Sequence, residues 1–135
     1  MTAERRRILV VEDDETLRET LAEVMLDEGH EVRTAAHGAE ALECLEAWSA
    51  DLIVLDLMMP MMDAYEFRAR QRHRPDAPTT RIVVLSAARN VAEAAERLGA
   101  DAWLTKPFAL DAVLDLLSRL LDDPPPSTRR EPSWA

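Results

Sequence analysis

Leu52-Ile-Val-Leu55 is an unbroken apolar run that ends at a carboxylate, Asp56. A strand with one wet face alternates apolar and polar residues, whereas a short continuous run between turn signals fits a strand covered on both faces. Such strands belong to parallel sheets with helices on either side. Ligands of these sheets bind outside the carboxyl ends of the strands, and Asp56 lies at that end. A single acid in that place also serves as a solvated strand end or a helix cap. Its meaning therefore depends on what the other strand ends bring.

Read in order, the chain alternates five strands with five helices, an α/β pattern with right-handed crossovers. Ile8–Val11 is a first apolar run, and Glu12-Asp13-Asp14 follows it. The next helix carries Leu17, Leu21, Val24 and Met25 on one face, with Gly29 suited to stop it. His30–Thr34 alternates weakly, as an edge strand does. Gly38–Trp48 sets Ala41, Cys44, Leu45 and Trp48 at i, i+3, i+4 and i+7, so Cys44 is expected to pack in a core helix and not to act as a nucleophile. After Asp56, Met58-Met-Pro-Met-Met-Asp63 has too few charges for a simple solvated connector. Ala64–His73 is helical with the weakest periodicity, and its Arg68, Arg70, Arg72 and Arg74 read as a solvated face.

Arg81–Leu85 is a further buried strand, ending in Ser86. Arg89–Leu98 is a short Ala-rich helix with Val91, Ala94, Ala95 and Leu98 inward, closed by Gly99. Ala102–Thr105 runs into Lys106-Pro107, and Ala109–Leu121 is a last helix with Leu110, Val113, Leu114, Leu117 and Leu121 facing the core. Residues 1–121 are thus expected to form one domain. Residues 122–135 have four prolines and no periodicity, as in a disordered or polyproline tail, although Trp134 is unusual in a pure spacer.

Composition narrows the functions available. A net charge of −10 argues against direct, non-specific nucleic-acid binding. No apolar stretch approaches the roughly 18 residues that cross a bilayer, so no membrane insertion is expected. The N-terminus resembles neither a signal nor a transit peptide, and the single cysteine suits a reducing cytoplasm. Among sixteen basic residues the only lysine is Lys106, and an ammonium is not interchangeable with a guanidinium in a tight site.

The strand ends together supply Glu12, Asp13, Asp56, Ser86 and Lys106. In a sheet ordered 2-1-3-4-5, the first three would meet at one crevice. Three carboxylates so close need a cation or the uptake of a proton. An all-oxygen cluster suits Mg²⁺ (or Mn²⁺), completed by a phosphoryl group. Lys106 and Ser86 would then hold phosphoryl oxygens, leaving Asp56 as a nucleophile for an acyl phosphate.

Ile8-Leu-Val-Val-Glu-Asp-Asp-Glu15, Asp51-Leu-Ile-Val-Leu-Asp-Leu-Met-Met-Pro60, Val83-Val-Leu-Ser-Ala87 and Leu104-Thr-Lys-Pro-Phe108 resemble the receiver domain of two-component response regulators, including its single-domain, chemotaxis-regulator-like form. The likeness covers about residues 7–121. It implies a flavodoxin-like (βα)5 three-layer sandwich with a five-stranded parallel sheet in the order 2-1-3-4-5. It also implies that Asp56 is the phosphoacceptor and that Asp13, Asp56 and the Met58 backbone carbonyl bind Mg²⁺, with Glu12 acting through water. Ser86 would be the switch hydroxyl, Trp103 the switch aromatic and Lys106 the phosphoryl-binding ammonium, with Pro107 after a cis peptide. Implied partners are a histidine kinase or histidine phosphotransfer protein, a downstream protein and a second copy bound through helix 4, strand 5 and helix 5.

Three positions depart from the family pattern. Met61 and Ala64 stand where glycine is common, and Trp103 stands where Tyr or Phe is usual. Met58 and Ala88 lack side chains able to orient a hydrolytic water, so a long-lived phosphoryl group is expected. Two other readings compete: a receiver that binds partners without phosphorylation, and a Mg²⁺-dependent phosphatase of the haloacid-dehalogenase type. The second would want an acid two residues after the nucleophile, where this chain has Met58. The chain is compatible with a complete single-domain regulator and with the receiver end of a longer protein.

Overall fold

The computed structural model describes residues 6–59 and 61–122. Its strands are β1 (Arg7–Val11), β2 (Glu31–Ala35), β3 (Leu52–Asp56), β4 (Arg81–Ser86) and β5 (Ala102–Thr105). They alternate with helices α1 (Glu15–Asp27), α2 (Gly38–Ala47), α3 (Ala64–Gln71), α4 (Val91–Leu98) and α5 (Leu110–Asp122). All strand pairs are parallel, in the order β2-β1-β3-β4-β5. This is the flavodoxin-like order expected of the sequence.

Alternation along the three central strands divides the core into two layers. Leu9, Val11, Ile53, Leu55, Ile82 and Val84 pack with Leu45, Phe67 and Leu98, on the side of α2, α3 and α4. Ile8, Val10, Leu52, Val54, Val83 and Leu85 pack with Leu21, Met25, Val113 and Leu117, on the side of α1 and α5. Every residue of β3 and β4 is buried, which is why their sequences are continuous apolar runs. The edge strand β5 alternates instead, turning Ala102 and Leu104 to the α1–α5 layer and Trp103 and Thr105 outward. Cys44 is half-buried against the first layer, as its helical position requires.

Several boundaries differ from the sequence reading for identifiable reasons. α2 stops at Ala47 because Trp48 turns extended, buries its ring and donates from Nε1 to Glu31 Oε2 at 2.7 Å. The Arg7 and Arg33 guanidiniums lie over that ring, at 5.8 and 5.1 Å from its centroid. The fourth helix begins at Val91, with Asn90 before it, and ends in a left-handed Gly99.

The arginines of α3 are not simply a solvated face. Arg68 Nε and Arg72 Nη2 both donate to the Leu98 carbonyl at the end of α4, at 2.8 and 2.9 Å. Arg68 also bonds the buried Gln71. Burial and the neighbouring Arg72 charge lower the Arg68 pKa to about 10. A helix of such weak periodicity is therefore fixed through polar contacts to the unsatisfied carbonyls of its neighbour. Arg70 alone follows the expected pattern, paired with Glu66 one turn away. Pro60, the proline-rich stretch from 123 to 135 and Trp134 lie outside the described residues.

Candidate functional site

The strand order decides which acids meet. β1 and β3 are neighbours, so the loop after Val11 and the end of β3 open into one crevice. Carboxylate oxygens of Glu12, Asp13 and Asp56 lie within 4.8 Å of one another. Glu12 and Asp56 are 1% and 3% exposed, whereas Asp13 faces solvent. Asp14 caps α1 by accepting from the Leu17 N–H at 3.1 Å, which holds the acidic loop at the helix N-terminus.

Lys106 reaches this crevice from the end of β5. Its Nζ lies 2.6 Å from Glu12 Oε1 and 3.5 Å from Asp56 Oδ2. Burial pushes the ammonium pKa down, but the Glu12 hydrogen bond and the Asp56 and Glu12 charges outweigh it and hold the pKa above the usual lysine value. Lys106 N donates to the Ser86 carbonyl, and the Lys106–Pro107 peptide is cis, as expected. Ser86 is fully buried at the end of β4, and its Oγ accepts from the Ala88 N–H at 3.0 Å.

One lysine does not balance three carboxylates. Burial, followed by hydrogen bonding with and repulsion from Glu12, raises the Asp56 pKa from 3.8 to about 7, although the Met58 N–H donates to Asp56 Oδ1 at 3.2 Å. Burial also pushes Asp13 upward, but hydrogen bonds with Glu12 and Asp56 and the Lys106 charge leave it below the ordinary value. Proton uptake thus falls on the buried Asp56, as the repulsion argument requires. The donor set is all oxygen and strongly anionic, which fits a hard divalent cation such as Mg²⁺. An apolar-walled cleft of about 490 Å³ opens beside the site, lined by Leu17, Ala87, Lys106, Pro107 and Phe108 among others.

The same loops show what the sequence reading missed. Arg18 on α1 turns back and donates through Nη1 to the main-chain carbonyls of Glu12 at 2.8 Å and Asp13 at 3.4 Å. Nothing in the local pattern distinguishes it from any other charged helix residue. Met61 takes φ 70, so a methionine occupies the left-handed conformation that favours glycine. Ala64 is fully buried as the first residue of α3, with Asp63 as its cap. Trp103 is 41% exposed on the α4 side of β5, beside Ala92, Ala95 and Glu96.

Residues 8–118 match the family model described as the response regulator receiver domain. The chain belongs to that family. It is 41% identical over 117 residues to response regulator MprA of Mycobacterium ulcerans, covering 85% of this chain and 50% of that protein. It is 40% identical over 127 residues to transcriptional regulatory protein TcrA of Mycobacterium tuberculosis, covering 90% of this chain and 49% of that one. The chain therefore spans about half the length of the curated relatives it matches. Among solved structures it resembles chemotaxis response regulator CheY4 of Vibrio cholerae, with TM-score 0.80 and 31% identity over 87% of this chain and 99% of that one. It also resembles response regulator TrrA of Thermotoga maritima in complex with Mg²⁺–BeF, with TM-score 0.74 and 31% identity over 85% and 98% of the two chains. This receiver is thus a two-component signalling domain of a family that uses Mg²⁺ at an acidic pocket and interacts with histidine kinases or phosphotransfer proteins. Among the described residues, no helix is long and apolar enough to cross a membrane.

Proposed function

We propose that this receiver accepts a phosphoryl group on Asp56 from the phosphohistidine of a histidine kinase or phosphotransfer protein. The observation that carries the reading is the placement of Asp56, buried at the end of the central strand with two carboxylates and one ammonium around it. An Asp56 oxygen attacks phosphorus, the P–N bond breaks, and the histidine nitrogen leaves with its electron pair and is protonated. Asp13, Asp56 and the Met58 carbonyl would hold Mg²⁺, with Glu12 acting through water. The ion would offset charge on the phosphoryl oxygens. The Mg²⁺–BeF complex of TrrA, a 31% identical neighbour, supports Mg²⁺ as the ion.

This chain's own residues then respond to the new dianion. Lys106 exchanges its contacts with Glu12 and Asp56 for a phosphoryl oxygen. Ser86 gives up its bond from Ala88 and donates its hydroxyl to another. Both pulls act on the β4–α4 and β5–α5 loops, biasing the face made by α4, β5 and α5 between two arrangements with Trp103 as the reporter. The output is binding of a protein partner, or of a second copy, at that face. The domain acts in the cytoplasm as residues 1–121 of this chain, and performs no catalysis beyond its own phosphotransfer and slow hydrolysis. Met58 and Ala88 leave the acyl phosphate long-lived, so a half-life of seconds would contradict this.

Intact mass after incubation with acetyl phosphate and Mg²⁺ tests the reading. One added phosphoryl group is expected, absent without metal and absent in Asp56→Asn. If wild type gains none, and beryllofluoride with Mg²⁺ leaves the tryptophan fluorescence unchanged, phosphorylation-independent binding replaces it.

A further inference from the structure

The β1–α1 loop presents three consecutive acids, Glu12-Asp13-Asp14, and Glu15 opens the helix that follows. Such a segment repels itself, and something must hold it in one shape before a cation arrives. Among the described residues, two basic side chains touch it, and they touch it differently. Lys106 spends its charge on side-chain oxygens, Glu12 Oε1 and Asp56 Oδ2. Arg18 instead donates through Nη1 to the main-chain carbonyls of Glu12 and Asp13, at 2.8 and 3.4 Å. The guanidinium, half-buried and projecting from the first turn of α1, is anchored by the Asp14 cap and the helical bond from Arg18 N to the Asp14 carbonyl.

We infer that Arg18 is a positioning residue for divalent-cation binding: by fixing the Glu12 and Asp13 carbonyls it aims the acidic side chains while leaving their oxygens to the ion. The inference rests on the reading of the acidic cluster as a cation site. Groups that orient a metal's ligands from behind are worth about 10–100-fold in metal affinity. A guanidinium suits this task because one nitrogen can serve two neighbouring carbonyls while the charge stays delocalised.

Simple electrostatics makes the opposite forecast. Arg18 is a positive charge near a cation site, so deleting it should tighten cation binding if charge alone mattered. The sign of the effect therefore separates positioning from electrostatics. The test is titration of Mg²⁺ into wild type, Arg18→Ala and Arg18→Lys, followed by the amide shifts of residues 12–14, with metal-free urea unfolding of each variant alongside. Positioning requires a dissociation constant raised about 10-fold or more in Arg18→Ala. Arg18→Lys, which keeps the charge and one donor, should lie between Ala and wild type, with metal-free stability close to wild type. An unchanged or tighter constant in Arg18→Ala overturns the inference while leaving the cation site standing. Failure of wild type to bind Mg²⁺ removes the site itself and the inference with it.

Discussion

If the crevice stores electrostatic repulsion, removing the Asp56 charge should make the metal-free protein more stable. Asp56→Asn is the cleanest perturbation, because it keeps the shape and can still accept from the Met58 N–H. Asp56 has its pKa raised from 3.8 to about 7, first by burial and then by Glu12. A raised carboxyl pKa in the folded state means that the protein binds that proton more tightly folded than unfolded. Its stabilising contribution is complete below about 3.8 and is lost as the pH climbs through about 7. At about 1.4 kcal/mol per pH unit the gap sets a ceiling of about 4 kcal/mol by pH 8. The Lys106 ammonium, 3.5 Å from Asp56 Oδ2, offsets part of that carboxylate's charge, and the variant loses this attraction. The expected gain for Asp56→Asn is therefore about 2 kcal/mol. Urea unfolding at pH 8 with EDTA measures it, and the advantage should shrink on moving to pH 5. Mg²⁺ should raise the midpoint of wild type more than that of the variant, because ligand binding to the folded state adds RT ln(1 + [L]/Kd). A variant no more stable than wild type at pH 8 without metal would refute the claim that Asp56 carries an unfavourable charge.

Other consequences can be measured in the same way. Met61→Gly should stabilise by about 0.5 kcal/mol, since relief of the left-handed methionine slightly exceeds the added entropy of the unfolded chain. Met61→Val should instead cost about 1 kcal/mol. Arg68→Ala should lower stability by about 2 kcal/mol through the bonds to Leu98 and Gln71, and a double-mutant cycle with Arg72→Ala should show coupling, as both serve one carbonyl. His30 has its pKa lowered, chiefly by burial, so the folded state prefers it neutral. Its contribution is present above 6.5 and is lost as the pH falls below that value, and His30→Gln should flatten stability between pH 7 and 5. An equally steep profile in the variant would assign that slope to other groups.

The sequence by itself determined the frame. Continuous apolar runs mark β3 and β4 because the middle of a strand covered on both faces favours apolar residues, leaving polar ones to the strand ends, and helical spacing marks the buried face of α5. It also determined the inventory of the crevice, since acids, a serine and the only lysine stand at the ends of β1, β3, β4 and β5, and the family resemblance suggested the roles proposed for them. Periodicity records which face is buried but not which distant group a polar side chain will meet. Tertiary structure alone decided that Lys106 reaches across 94 residues to Glu12, and that Ser86 turns to its own loop. It likewise decided that Arg68 and Arg72 close the end of α4, and that Arg18 grips the acidic loop from behind. Such contacts follow from strand order and crossover geometry, which place sequence-remote loops side by side at the carboxyl edge of the sheet. The residue types were legible in the chain, but their pairing became physical only when the sheet closed that distance.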